Sequence, residues 1–262
     1  MKNSTFYKLE RCWTALRKRL GFQMHITQIL LAFKKINGAL AFKHTGILLG
    51  KLLLYVHGAL FLLVLVLCLL YTSMNPPVTS LMIYRRLFFG YDSRGVEFTP
   101  LSQIPKKLRR MVVNVEDYKF YRHPGIDVEA LVNAYHLNSR IGSIRFGGST
   151  LTMQLARTLF LVPDQSYLRK YLEVLIALEM DMIIKKNRIL ELYLNYCEWG
   201  KGVYGIDAAA RYHYKKRVSD LSTDECRRLA TILASPLRYD VHNFSRRKSL
   251  VKRYEYLVSR FP

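Results

Sequence analysis

Apolar residues are distributed along the chain in two patterns. From Leu52 to Thr72 the sequence LLLYVHGALFLLVLVLCLLYT holds no Asp, Glu, Lys or Arg, and a run of about twenty such residues is long enough to cross a bilayer as a helix. Beyond Pro76-Pro77, a stiff break, the apolar positions recur with the helical period at about 126–140, 149–161, 166–183, 186–197, 203–213 and 222–234. Strand patterns are few, and Met82 to Phe89 is the best of them. The expected fold is therefore mostly α, with a basic segment 1–51, a transmembrane helix 52–72 and one external globular domain 75–262, of ordinary size for a single core.

Charge sharpens this division. The chain carries a formal net charge of +22, and residues 1–51 hold ten Lys or Arg against the single acid Glu10. By the positive-inside rule the N-terminus is cytoplasmic and the domain after the helix lies outside the cytoplasmic membrane. A cleaved signal peptide fits poorly, because the apolar run starts late and Ser73-Met74-Asn75-Pro76-Pro77 is no small-x-small site. With +9 in the N-terminal segment, about +13 remains on the external part. Topology does not account for that excess, which calls for an anionic partner near the membrane. Half the residues are hydrophobic, which excludes a disordered basic tail. Cys12, Cys68, Cys197 and Cys226 show no CxxC pairing and no zinc spacing, and Cys197 and Cys226 are read as two separate buried thiols, not a disulfide.

Three segments of the domain carry candidate chemistry. Glu116 to Asp127, EDYKFYRHPGID, gathers acids, a His and a Gly turn between helical patterns; it is either an acid/base cluster or a solvated loop with capping acids. Gly147 to Arg157, GGSTLTMQLAR, is a glycine loop entering a helix capped by Ser149 or Thr150, whose free amides favour an anion. Thr150, Gln154 and Arg157 form a polar stripe there, and Leu151, Leu155 and Leu159 an apolar one. Met153, about 60° from Thr150 and about 40° from Arg157, is expected at the groove's edge. Third, Arg169-Lys170-Tyr171-Leu172-Glu173 opens a helix with Arg169 and Glu173 on one face. These two are either a surface ion pair or a held carboxylate beside a basic pair suited to diphosphate.

Taken in order, these segments resemble the signature motifs of the peptidoglycan glycosyltransferases, glycosyltransferase family 51. Glu116–Asp127 is similar to EDxxFxxHxGxD, Gly147–Arg157 to GGSTxTQQLxK, Arg169–Asp181 to RKxxExxxAxxLE and Lys186–Asn195 to KxxILExYLN. The run Gly200–Tyr212 with Ala234–Tyr239 looks most like the monofunctional branch without a transpeptidase domain. The resemblance covers about residues 80–260.

The resemblance implies a lysozyme-like helical domain that polymerises lipid II onto a growing lipid-linked glycan chain, with inversion at the sugar. Glu116 would be the general base and Glu173 would assist at the diphosphate, with a divalent cation, Mg or Mn, as a candidate helper. Arg157, Arg169 and Lys170 would stabilise the departing diphosphate. Ser149, Thr150 and Gln154 would line the same groove, and Asp117, Phe120 and His123 would shape the base's surroundings. The expected partners are lipid II, the glycan chain, the membrane and other cell-wall synthesis proteins, with no nucleic acid. Met153 stands where the family has the first Gln of its QQ pair, Arg157 where it has Lys, Met180-Asp181 where it has Leu-Glu, and Lys185 where it has Ser. An inactive membrane scaffold and a lysozyme-type hydrolase are the rival readings; hydrolysis needs no basic cluster for diphosphate.

Overall fold

The computed structural model describes residues 38–91, 96–143, 147–164 and 166–262, with side chains from Thr45 onward, so most of the basic segment 1–51 lies outside the described residues. The chain divides into two compact units, Met1–Leu60 and Phe61–Pro262. Helix α1 (Gly38–Tyr71) runs through that boundary, and Thr45–Tyr71 is long and apolar enough to cross a membrane. It starts earlier than the charge-free run because Lys43 and Lys51 are good helix formers, and two cations do not end a helix.

Unit two is helical, as the periodicity predicts. Its helices are α2 (Ser80–Phe89), α3 (Lys106–Glu116), α4 (Val128–Ile141), α5 (Leu151–Phe160), α6 (Tyr167–Ile183), α7 (Lys186–Tyr196), α8 (Ile206–Tyr214), α9 (Thr223–Ile232) and α10 (Lys248–Arg260). The only strands among the described residues are β1 (Glu198–Gly200) and β2 (Val203–Tyr204), an antiparallel pair between α7 and α8. The pattern at 203–213 therefore begins with a strand, and the helix starts only after Gly205 at φ 86°.

Local chemistry sets most helix starts. Thr150 accepts from the Met153 amide at 3.1 Å, Ser166 from Arg169 at 3.2 Å and Asp127 from Ala130 at 3.0 Å, each satisfying an amide that the first turn leaves free. Ser222 and Glu225 form a reciprocal capping box on α9. The strand expected at Met82–Phe89 is a helix: Thr79 caps it, Gly90 ends it in the left-handed conformation, and no neighbouring strand among the described residues offers hydrogen bonds. Helices α3 and α10 lie outside the stretches read as helical, although each is amphipathic and buries an apolar side, Leu108, Met111 and Val112 on α3 and Leu250 and Leu257 on α10.

Helix α5 is the centre of the unit, packed against α6, α7 and α2. Leu151, Thr152, Met153, Leu155, Ala156, Thr158 and Leu159 are all buried on it. Met153, expected at a groove edge, has no exposed surface. Helical angle alone misplaces it, because a helix walled on several sides has a much wider buried arc than one apolar stripe. Met153→Gln is accordingly expected to bury an amide and to cost about 1–3 kcal/mol. Thermal melting of the full chain in detergent checks this, with Tm falling roughly 2–4 °C per kcal/mol; an unchanged Tm would mean that the pocket supplies the amide with partners.

Candidate active site

Glu116 is the last residue of α3, and its side chain is 11% exposed. Two donors hold it. Gln154 Nε2 of α5 donates to Oε2 at 3.0 Å, and Arg253 of α10 donates from Nη2 to Oε1. Tyr193 of α7 donates its hydroxyl to Gln154 Oε1 at 2.9 Å, which fixes the amide's orientation. Burial and the nearby Glu116 charge push the Tyr193 hydroxyl well above its usual range, so it stays a donor. Arg253 also donates to the carbonyls of Val115 and Ala230, tying α10 to the end of α3 and to α9.

The loop after Glu116 is held from inside. Asp117, buried, accepts from the Leu151 amide at 2.9 Å and from His123 Nε2 at 2.9 Å, so it anchors the start of α5 to the loop. Phe120 is fully buried, and Lys186 Nζ lies 4.8 Å from its ring centre. The same ammonium pairs with Asp181 at 2.6 Å and donates to the His123 carbonyl at 2.8 Å. Gly125 adopts φ 80°, and a methyl there would lie 2.5 Å from the Ala177 carbonyl oxygen of α6. Thr150 Oγ1 donates to the Gly125 carbonyl. A methyl at Gly148 would lie 2.6 Å from the Ala130 carbonyl oxygen, so the glycine loop lies against the backbone of α4. Asp117, Phe120, His123 and Thr150 thus sit inside the wall behind Glu116, and Gln154 reaches the carboxylate itself.

The second cluster gathers at the start of α6. Glu173 is fully buried and accepts from Arg169 Nη1 and from Lys170 Nζ, the latter at 2.9 Å. Lys170 Nζ also donates to Ser149 Oγ at 2.8 Å, joining the glycine loop to α6. A surface ion pair is thereby excluded: the carboxylate is internal and carries two cations. Burial lowers the Lys170 ammonium's pKa, with Arg157 and Arg169 pushing the same way and Glu173 opposing. Arg157, half-buried one turn beyond Gln154, makes no ion pair among the described residues. The result is a patch with more positive charge than its one acid balances, built from α6 and from Arg157 on the helix that also presents Gln154 to Glu116.

Residues 86–261 match the transglycosylase family. A biosynthetic peptidoglycan transglycosylase of Thiobacillus denitrificans is 43% identical over 162 residues, 60% of this chain and 70% of the relative. One of Burkholderia vietnamiensis is 39% identical over 180 residues, 67% and 74% respectively. The chain belongs to the transglycosylase family. Within this family member, the fourth motif serves as a frame: Asn195 accepts from the Thr99 amide at 2.7 Å and donates to the Thr99 carbonyl at 2.9 Å, and Glu191 accepts from the Leu101 amide and from Arg188. Arg188 in turn donates to the carbonyls of Tyr71 and Met74, fastening the end of α1 to α7. Cys197 and Cys226 are separate buried thiols, as expected.

Arg253 and Tyr193 are the site groups that motif reading missed. Arg253 lies 137 residues from Glu116 in sequence, and an Arg in a basic terminal helix carries no local signal of such a contact. Among the described residues no three His, Cys, Asp or Glu side chains gather as a metal cage. Both Glu173 oxygens are occupied by cations, a donor set that does not fit a protein-held divalent ion, and no step below passes through one.

Proposed function

We propose that the chain is a peptidoglycan glycosyltransferase that polymerises lipid II into β-1,4-linked strands with inversion at the anomeric carbon, anchored by α1 with its catalytic domain outside the cytoplasmic membrane. One observation carries this reading: a part-buried carboxylate at the end of α3, held by Gln154 of α5 and Arg253 of α10, adjoins through α5 a cationic cluster of Arg157 on α5 and Arg169 and Lys170 on α6 that its one acid does not neutralise. A base and a leaving-group site held by the same central helix suit transfer from a diphosphate donor.

In this reading Glu116 takes the proton from the acceptor's 4-hydroxyl as that oxygen attacks the donor's anomeric carbon. The bond from that carbon to the diphosphate oxygen breaks, and its electron pair leaves on the diphosphate. Arg157, Lys170 and Arg169 stabilise the charge that develops there, while Glu173 holds the two α6 cations in place. Ser149 orients Lys170. Gln154 and Arg253 keep the Glu116 carboxylate aimed, and the buried Asp117–His123 pair keeps the loop in register with α5. A paired-carboxylate hydrolase has no use for the basic patch, and an inactive scaffold none for the doubly braced Glu116.

Incubating the full chain in detergent with labelled lipid II is expected to give glycan polymer and free lipid diphosphate. Bound but unchanged lipid II would place the chain among inactive binders, and cleavage of preformed glycan among hydrolases. A reporter fused after Pro262 is expected to work only outside the cytoplasm, and one fused near Lys43 only inside; the reverse would overturn the orientation.

A further inference from the structure

Helix α3 buries Leu108, Met111 and Val112 against the core, and Lys106, Arg109, Arg110 and Val113, at spacings of three and four, share the opposite side. That side lines a cleft of about 570 Å³ with Tyr118, Tyr121 and Arg260, a volume in the range of small-ligand sites. No acidic side chain lines it. Lys106, Arg109, Arg110 and Arg260 join no ion pair among the described residues. Arg109 is half-buried, and its Nε is buried with no hydrogen-bond partner there. Four like charges around one cleft repel one another, so folding does not account for their placement; an anionic ligand does.

The cleft's place in the fold narrows the choice of anion. Asn187 and Leu190 of α7 and Leu101 form its other wall. Arg188, next to Asn187, donates to the carbonyls of Tyr71 and Met74 at 2.9 and 2.7 Å, and Tyr71 is the last residue of the apolar helix α1. Glu191, next to Leu190, accepts from Arg188 and from the Leu101 amide, each at 2.6 Å. The start of α7 thus borders the cleft and grips the end of the anchor. A helix with its side chains is about 10–12 Å across, and the headgroup layer of a bilayer is about 5–7 Å deep on each face, so the cleft's near wall stands at the border of that layer. Tyr118 and Tyr121 are 69% and 56% exposed, and their amphipathic rings are of the kind enriched at that depth.

We propose that this cleft binds the headgroup phosphate of an anionic phospholipid in the bilayer that α1 crosses, with Lys106, Arg109, Arg110 and Arg260 meeting the phosphate oxygens. The inference rests on the membrane anchoring read above, and not on the reaction. Guanidinium donors match phosphate oxygens in pairs, and basic clusters beside a membrane helix favour anionic lipid. A headgroup held there gives the catalytic domain a second attachment to the bilayer beside α1.

The test uses the full chain in zwitterionic detergent, with Arg109 and Arg110 changed together to Gln and, as a second pair, Arg110 and Arg260. As a control for net charge, Arg217 and Arg246, which are exposed and do not line the cleft, are changed to Gln. The probe is labelled short-chain phosphatidylglycerol, compared with phosphatidylcholine of the same chains. The parent is expected to bind phosphatidylglycerol at least about tenfold more tightly than phosphatidylcholine. Each cleft pair should lose at least about tenfold of that affinity, a loss typical of hydrogen bonds to charged groups, and the control pair less than about twofold. Lipid II turnover in the same detergent, free of phospholipid, is expected to stay within about threefold for both cleft pairs, as for surface substitutions in general. Equal affinity for the two lipids, a control pair that loses as much as a cleft pair, or displacement of the probe by inorganic phosphate or a polyglutamate peptide as readily as by unlabelled phosphatidylglycerol would overturn the proposal. So would collapse of turnover in both cleft pairs with Tm unchanged, which would make the cleft part of the lipid II site. If the first pair fails to fold, the second carries the comparison, since Arg110 and Arg260 are exposed. Probe binding in detergent needs neither turnover nor insertion, so a parent that binds selectively but never polymerises lipid II, or whose reporter fusions reverse the topology, would count against those readings alone.

Discussion

Replacing Glu116 by Gln is expected to abolish polymerisation while leaving the fold intact. The substitution removes the proton acceptor but keeps an oxygen to receive the Gln154 amide, now at 3.0 Å from Oε2. Arg253 keeps its contacts with the Val115 and Ala230 carbonyls, so α10 stays docked. A general base is worth roughly 10² to 10⁴ in rate, and lipid II turnover should fall by that range with Tm nearly unchanged. Turnover within about tenfold of the parent would remove Glu116 from the role of base. Arg253→Met separates aim from proton transfer: it leaves the carboxylate but frees its orientation, so its loss is expected to be smaller than that of Glu116→Gln.

Glu173→Ala is expected to damage both fold and rate. The carboxylate is fully buried, and Arg169 and Lys170 donate to it from side chains that are 15% and 32% exposed. Breaking a wholly buried pair costs about 3–5 kcal/mol; here water reaches the orphaned cations and recovers part of that, so about 2–3 kcal/mol is expected. Lys170 also loses one of its two anchors and keeps only Ser149. Turnover measured well below the lowered Tm should still fall by more than about tenfold, because the leaving-group cations are no longer held. Glu173→Asp keeps the charge but shortens the reach, and partial rescue is expected. Parental turnover and Tm in Glu173→Ala would show that the carboxylate positions nothing.

The apolar helix of bilayer length, the helical class of the domain and the order of its motifs are determined by sequence. Each follows from local quantities: an uncharged run of bilayer length, a 3.6-residue period, and caps such as Thr150, Ser166 and Asp127 that act within three residues. The same local rules misread Met82–Phe89, where alternation suggested a strand but Thr79 and Gly90 bound a helix. They also placed Met153 at an edge, because a helical wheel knows one axis and not the number of neighbours around it. What only the tertiary structure decided is which polar groups meet. The complete burial of Glu173 was decided there, and the Asp117 bond to the start of α5 and the clasp of Arg253 and Gln154 on Glu116 join segments up to 137 residues apart. Helical period pairs Arg169 with Glu173 but encodes neither that burial nor the contacts between segments. They arise when α5 is enclosed by α6, α7 and α2, and desolvation there leaves each charge either partnered or open to a ligand.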